Sequence, residues 1–476
     1  MIVKELRQGL RTWVFVGAFI ALQATLVMLL LISSSSGNED AASYLFWSII
    51  AGILVFIAPL RGFNAIAGEM KAGTLDMLLL TRLGAFRIAV GKWAALVSQS
   101  ALIAISVLPY VVLRYFGGGV DLLGELRGLL LLWMLSAAVT SVAVAFSAVP
   151  SVILRTIVLL VVWWWAAMVC VGLLALIISN EEGMFFFGLP GMSGSLWIFW
   201  SLLAVVWAYG CYFVLDFGSS TIAPLASNHA TRKRLISLAL MLPAFGFAML
   251  GDTEETRITA LAYFAVLWGL SALDCLTESP TNAPSVFVPF VKKGLLGRLS
   301  AWFLSPGWHT GLLFHLVVTV LGLGAMARMM SGIGGGHIDY DNDLAATICA
   351  ALSPITALAF ALLVFRKARH QLGPFLVCSI VLGVISLLLL IMRTVSGQVN
   401  VAWLGIPTPP TAFVLGSTLQ SFGSQSVVPD QFTLYGTGIA AGLVWLGWCF
   451  VKAAPHFRAM TRAMRDAASS LEAKGS

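Results

Sequence analysis

Long apolar runs, separated by short polar or charged connections, fill most of the chain. The first run, from Trp13 to Ile32, is long enough to cross a hydrocarbon core of about 30 Å at about 1.5 Å per residue. It is longer than the core of a signal peptide and lacks a small-residue cleavage site, so we interpret it as a membrane span. The same pattern, bounded by charges or by Gly and Pro, predicts about twelve spans. They lie at about residues 13–32, 43–60, 88–113, 128–148, 152–178, 196–216, 235–250, 258–274, 309–327, 344–365, 371–392 and 434–451.

The composition lies outside the range of soluble globular proteins. Hydrophobic residues make up 59% of the chain and charged residues 10%, and the mean hydropathy is +0.94. These values are typical of an integral membrane protein. The six cysteines lie in apolar segments or at their edges without a CxxC pair, which indicates small core residues rather than a disulfide framework or a zinc site. We therefore predict an all-α integral membrane protein of the cell (inner or plasma) membrane.

The positions of the basic residues predict an orientation. If the N-terminus is cytoplasmic, 23 of the 28 Lys and Arg residues fall in cytoplasmic segments, where such residues are enriched. Both termini, and the connection at residues 61–92, are then cytoplasmic. The net charge of +7 is explained by this orientation, so we predict no nucleic-acid partner. The basic residues left in outer segments are Arg114, Arg127, Arg257, Arg328 and Arg393.

A short cytoplasmic connection at residues 217–234 is the predicted boundary between two six-span modules, at residues 1–216 and 235–452. Two arrangements stay open. The halves could be an internal repeat that forms two six-helix bundles, or complete chains could pair as a homodimer. Residues 453–476 form a predicted cytoplasmic amphipathic tail, which would lie on the inner leaflet, against a partner or in solvent.

The connection at residues 61–92 is too charged for lipid, yet it contains an apolar helical pattern. Leu75, Leu78 and Leu79 recur at helical spacing, so they share one face of a predicted short helix. An apolar face on a cytoplasmic segment favours burial against another surface. From the residues alone, the alternative is an interfacial helix that has no protein partner.

Several residues of this connection occur in an order that resembles a known family. Glu69, then Gly73-Thr74-Leu75, then Leu78-Leu79-Leu80-Thr81, then Gly91-Lys92 is similar to the loop after the second transmembrane helix in permease subunits of ABC transporters of the type-2 exporter class. The resemblance covers roughly residues 1–216. It implies an N-terminal elbow helix over residues 2–12 and a cytoplasmic coupling helix that seats in a groove of a separate ATPase. The implied ATPase-coupling residues are Glu69, Gly73, Thr74, Leu75, Leu78 and Leu79, with Glu69 making a polar contact at the edge of the groove.

The chain lacks a nucleotide-binding motif of its own. A P-loop requires G-x-x-x-x-G-K-[ST], whose backbone N–H groups cradle phosphate. Here Gly91-Lys92 is followed by Trp93, and Phe86 occupies the position of the first glycine. ATP and Mg²⁺ are therefore expected on the partner ATPase. We predict no cofactor, no metal and no catalytic residue on this chain, which is not expected to be an enzyme.

The second half differs from the first at the corresponding connection, residues 276–306. It keeps a glutamate, Glu278, but lacks Gly-Thr-Leu and the leucine run, so a second coupling site would have degenerated or changed partner. Ionisable groups are nearly absent from the spans, His315 being the main exception, and this counts against an ion-coupled carrier. We expect His315 to be a packed histidine.

The expected function is that of the membrane-spanning permease of an ATP-driven exporter. Its expected partners are an ABC ATPase, membrane lipid and, if chains pair, a second permease chain. The alternative is a non-transporting scaffold or a membrane enzyme with the same architecture. An enzyme would require a cluster of polar catalytic groups, and the sequence contains no Ser/His/Asp, metal-ligating or paired-carboxylate pattern.

Overall fold

In a computed structural model, every regular element of the described residues is a helix, without a strand among them. The predicted all-helical fold is confirmed for this part of the chain. The structure describes residues 2–11, 13–36, 39–74, 84–117, 121–149, 151–179, 196–223, 228–250, 254–332, 340–366, 371–396, 408–421 and 431–475.

The helices of the described residues are numbered here in chain order. They are α1 (Ile2–Leu10), α2 (Trp13–Ser36), α3 (Glu39–Ala51), α4 (Ala67–Lys71), α5 (Ala85–Gly117), α6 (Leu122–Ser147), α7 (Val152–Ser179), α8 (Leu196–Ile222), α9 (Ala230–Leu250), α10 (Glu254–Thr277), α11 (Pro284–Val291), α12 (Gly294–Leu304), α13 (Trp308–Gly332), α14 (Tyr340–Val364), α15 (Leu372–Ser396), α16 (Pro409–Ser421) and α17 (Gln431–Gly475).

Within the described residues, ten helical stretches are long and apolar enough to cross a membrane. Each overlaps one of the predicted spans, and some are longer, such as Ser43–Lys71 and Leu434–Glu472, so the chain has the helices of a multi-pass membrane protein. The other two predicted spans coincide with α2, which has an apolar stretch at Phe15–Leu31, and with α9, which contains Pro243. The total of twelve spans, and the role of α1 as an elbow helix, stay predictions.

The chain divides into two compact units, Met1–Pro224 (unit 1) and Leu225–Ser476 (unit 2). In unit 1, α6 contacts α5, α7, α8 and the continuation of α3. Small buried residues allow this close packing, as is usual between helices in lipid. A Cβ atom added to Gly218 of α8 would lie 2.5 Å from Cα of Ala145 in α6. The α6–α8 contact therefore requires glycine at this position.

The helix that leads into the candidate site changes its hydrogen-bond pattern before Pro59. After α3 the chain is π-helical at Gly52–Ile57, then α-helical at Ala58–Leu60 and 3-10 helical at Arg61–Asn64. In a π-helix the Leu54 carbonyl would accept from residue 59, but proline has no N–H. Ser136 of α6 donates to this carbonyl instead, at 2.6 Å. The buried Ser136 hydroxyl thus satisfies the Leu54 carbonyl. The irregular turn places Arg61 at the end of the bundle.

Unit 2 is built around two groups of helices. In one, α14 packs against α15, α16 and α17; in the other, α10 packs against α9 and α13. A Cβ atom added to Gly311 of α13 would collide with the carbonyl oxygen of Cys275 in α10. His315 is fully buried, with its ring centroid 5.1 Å from that of Trp268, so the packing expected of this histidine is present.

The predicted tail is the second part of a single helix, because α17 runs from Gln431 to Gly475 without interruption. The sequence assigned the tail's apolar stripe to a leaflet, a partner or solvent. In the structure, Met460 and Met464 are buried against Phe287 and Phe290 of α11 and against α12. The stripe is therefore covered by the chain itself.

Candidate functional site

The segment at residues 61–74 contacts α1 and α5 through a group of charged and polar side chains. They lie far apart in the sequence and meet at the end of unit 1 where this segment leaves the bundle. We call them the anchor cluster, which consists of Glu5, Arg61, Glu69, Lys92 and Gln99.

Lys92 joins three helices in the anchor cluster. It lies in α5 and is only 6% exposed. Its Nζ atom is 2.6 Å from Oε1 of Glu69 in α4 and 3.4 Å from Oε1 of Glu5 in α1. A buried ammonium without a partner is costly, so the two carboxylates compensate for its burial. Lys92 thereby holds both α1 and α4 against α5.

Arg61 forms a second link between the same parts of the unit. Its Nη1 atom donates to Oε1 of Gln99 in α5, and its Nη2 atom donates to the Gly9 carbonyl of α1 at 2.9 Å. A Cβ atom on Gly9 would collide with the Gln99 side chain, which shows how closely α1 approaches α5. Movement of Arg61 would therefore displace α1 as well.

Gly73 and Thr74 follow the end of α4 and contact its last turn. Gly73 has φ +67°, a left-handed conformation that glycine adopts without steric cost. Its N–H donates to the Met70 carbonyl at 3.3 Å, as is common after a helix end. The Thr74 hydroxyl donates to the Glu69 carbonyl at 3.3 Å. The Gly-Thr pair therefore acts as a helix stop directly before residue 75.

Two further contacts hold the segment against α6 and α7. The Ile66 N–H donates to Oγ of Ser147 at 3.0 Å. Arg155 donates to the Phe63 carbonyl at 3.4 Å and to the Val149 carbonyl at 2.8 Å, and its guanidinium lies 5.2 Å from the centre of the Phe63 ring. The segment thus contacts four helices of unit 1.

The structure describes only some of the sequence-predicted coupling residues. Glu69, Gly73 and Thr74 lie together at the end of α4. Leu75, Leu78 and Leu79, which carry the predicted coupling helix, lie outside the described residues. Their helix and their contact with an ATPase stay predictions, as does any contact of Glu69 with that partner.

Sequence reasoning missed the internal partners of these residues. It did not pair Glu69 with Lys92, and it gave no role to Glu5 or Gln99. A signal was present, because a lysine within an otherwise apolar helix needs a compensating carboxylate. The sequence could not identify which carboxylate it was, since Glu5 lies 87 residues from Lys92.

No protein-family model, curated protein or solved structure matches the chain. Any function proposed for the chain rests on its residues and their contacts.

The anchor cluster links helices of unit 1 through ion pairs and hydrogen bonds. A cavity beside it, lined by Phe15, Arg61, Gln99 and Ser100 among others, has a volume of ≈ 20 Å³. That volume holds about one water molecule. Across the described residues, no three His, Cys, Asp or Glu side chains are grouped so as to hold a metal ion. The cluster's interactions are ion pairs and hydrogen bonds between helices.

Proposed function

We propose that the chain is the transmembrane permease subunit of an ATP-driven exporter that works with a separate ATPase subunit. In this proposal ATP and Mg²⁺ bind to the ATPase, and the membrane helices of this chain form the path. The segment at residues 61–92 receives the movement of the ATPase and passes it to the helices.

The contact between Lys92 and Glu69 is the observation that carries this proposal. Glu69 lies in α4, which ends at the Gly73-Thr74 stop directly before the predicted coupling helix. Lys92 lies in α5, one of the helices long enough to cross a membrane. With 2.6 Å between their charged atoms, a displacement of α4 would be transmitted to α5 and, through Glu5, to α1.

The apolar pattern after Thr74 supports a docking role for the same segment. Exposed apolar surface costs about 25 cal/mol per Å², so the leucine face predicted at Leu75, Leu78 and Leu79 favours burial in a partner groove. A docked helix connected to α5 through a buried ion pair would act as a rigid lever.

Replacement of Leu78 and Leu79 by Asp tests the docking step. We expect the double variant to stay folded in the membrane, to release the ATPase during purification and to lose transport-coupled ATP hydrolysis. The matched control is Leu78→Met with Leu79→Met, which keeps the apolar face and should keep the complex. A fully active complex that carries the Asp pair would contradict the proposal and favour a scaffold or membrane enzyme.

Lys92→Gln tests the transmission step separately. This variant should still bind the ATPase, because Lys92 is buried within unit 1, but its transport-coupled hydrolysis should fall. Lys71→Gln is the matched control, since Lys71 is an exposed lysine at the end of α4. Unchanged coupling in Lys92→Gln would show that movement reaches the helices by another route.

A further inference from the structure

Helix α12 in unit 2 is held firmly at its C-terminal end. Arg234 of α9 donates from Nη1 to the Phe303 carbonyl at 2.7 Å and to the Ser305 carbonyl at 2.9 Å. The Thr231 hydroxyl donates to the Leu304 carbonyl at 2.8 Å. These bonds satisfy carbonyl groups that a helix end leaves without intrahelical partners. The orientation of α12 relative to α9 is therefore fixed.

The inner face of α12 packs on other helices of unit 2. Ala301 is fully buried, and the Trp302 ring stacks on Phe457 of α17 with a centroid separation of 5.1 Å. Gly297 lies so close to α11 that an added Cβ atom would collide with the Phe290 carbonyl oxygen. This face is closely packed. Rotation of α12 to bury its outward face would therefore break these contacts.

The outward face of α12 is apolar and exposed. Leu295 and Leu296 are 76% and 79% exposed, Leu299 is 53% exposed, and Phe303 is also exposed. At about 100° per residue, these four side chains fall within an arc of roughly 100°. An apolar stripe of this kind is unfavourable in water and favourable at a lipid surface.

Basic residues flank this stripe. Lys292, Lys293 and Arg298 are all exposed. The chain contains no acidic residue between Ser279 and Gly307, so their charge is not offset by neighbours in the sequence. Cations next to an apolar helix face favour an anionic lipid surface.

The location of α12 also favours lipid over a protein groove. Helix α13 begins at Trp308, four residues after Leu304, and is one of the helices long enough to cross a membrane. The C-terminal end of α12 is therefore next to the point where that helix would enter the bilayer. An exposed apolar face at this point is continuous with the surface that faces lipid.

We propose that α12 is an interfacial helix that inserts Leu295, Leu296, Leu299 and Phe303 into a leaflet containing anionic lipid. Lys292, Lys293 and Arg298 contact the headgroups. The connection between α10 and α13 is thereby bound to the membrane surface in a way that depends on anionic lipid. This proposal does not depend on the function proposed above.

A fluorophore on α12 tests the insertion. The full chain carrying Leu296→Cys is labelled with an environment-sensitive dye and placed in nanodiscs of phosphatidylcholine with or without phosphatidylglycerol. The native cysteines are buried, so the unsubstituted chain should take up no label. Ser469→Cys is the control, because Ser469 is exposed on α17, roughly 18 Å along the helix from Phe457.

With phosphatidylglycerol present, lipids that carry a nitroxide near the headgroup should quench the dye at position 296 several-fold more than at position 469. Replacing Lys292, Lys293 and Arg298 together by Gln should reduce this quenching to its level in pure phosphatidylcholine, whereas Lys71→Gln should not. Unfolding temperatures must match between the variants.

Three results would overturn the proposal. Iodide in the aqueous phase could reach the dye at both positions equally, which would place the face in water. The dye at position 296 could be shielded from both quenchers, which would mean that a protein covers the face. Quenching could also be independent of phosphatidylglycerol and of the three basic residues, which would exclude anionic lipid as the ligand.

Discussion

In unit 1 the connection between α3 and α5 forms an ion pair with a lysine of the helix that follows it. In unit 2 the connection between α10 and α13 forms an ion pair with an arginine of α9, the first helix of the unit. Lys92 pairs with two carboxylates, Glu5 and Glu69. Arg234 pairs with Glu278 at 2.7 Å and donates to several carbonyl groups as well. Each connection thus contains one glutamate that forms an ion pair with a buried cation.

The chemistry of the two cations explains what each one holds. An ammonium has three donors on a single atom and suits a few carboxylates, whereas a guanidinium presents five donors in a planar fork. Arg234 therefore serves many backbone acceptors, including the Gly307 carbonyl at 3.1 Å. Burial raises the pKa of the Glu278 carboxyl, and the Arg234 guanidinium opposes this rise. Unit 2 depends on Arg234 to compensate for this buried acid.

The apolar surface of the unit 2 connection is partly covered by the chain itself. In unit 2, α11 and α12 are packed beneath the second part of α17, and only the outward face of α12 is exposed. In unit 1, Leu75, Leu78 and Leu79 lie outside the described residues. The internal repeat of the two halves stays a prediction.

Removal of either buried cation should have the largest effect on stability, and the two losses should differ. Arg234→Met should destabilise the protein by about 3–5 kcal/mol, because it leaves Glu278 buried without its charge partner and several carbonyls without donors. Lys92→Met should cost less, about 1–3 kcal/mol, since Lys92 donates to no backbone carbonyl of the described residues and Glu5, with 31% of its side chain exposed, can be hydrated. Denaturant unfolding in detergent measures the free energy of unfolding of both variants.

Equal losses in the two variants would contradict the larger role of Arg234. The control is Arg232→Met, at an exposed position.

Loss of the cover over α11 should have the next largest effect. Met460 is 1% exposed against Phe287 and Phe290, so Met460→Ala should reduce stability by about 2–5 kcal/mol. Arg458→Ala, at an exposed position of the same helix, should change it little. Unfolding temperature is the measurement. If the two variants were equally stable, the tail would not be packed on α11.

Substitution of the glycines that allow close contact between helices should have a smaller effect, and a similar one in both units. Gly311→Ala places a Cβ against a backbone carbonyl and Gly218→Ala places one 2.5 Å from a backbone Cα, so each should cost about 1–3 kcal/mol. Gly324→Ala and Gly210→Ala are controls on the same two helices, where a Cβ would meet nothing within 4 Å. Those controls should be neutral or stabilising, and a loss as large as that at Gly311 or Gly218 would argue against the close contacts.

The smallest effect is expected at two glycines that should behave alike. Gly73 has φ +67° and Gly294 has φ +70°, and a Cβ at either position would meet nothing within 4 Å. Alanine should therefore cost about 1 kcal/mol at both, from backbone strain alone. Asn, which tolerates this conformation, should cost less. Unfolding measurements in which alanine cost nothing at Gly73 would contradict its role as a helix stop.

Much of the helical arrangement could be predicted from the sequence. The apolar runs predicted the long helices, because transfer of a segment into lipid depends on its own length and composition. The residues of the candidate site were only partly predictable. The resemblance to a permease loop named Glu69, Gly73 and Thr74 as coupling residues, and that role stays a prediction. The left-handed conformation of Gly73 is possible without steric cost because glycine lacks a side chain. Nothing local indicated that Glu69 would be paired within the chain.

The sequence by itself determined the all-helical fold, the apolar helices and the amphipathic character of the tail, since each depends on residues within one segment. The tertiary structure decided which residues compensate for Lys92 and Arg234, and which helices cover Met460. It also decided that Leu295 and Leu296 remain exposed. Ion pairs and covered surfaces depend on which distant segments come together, because a buried charge or an apolar face is stabilised only by the groups that reach it.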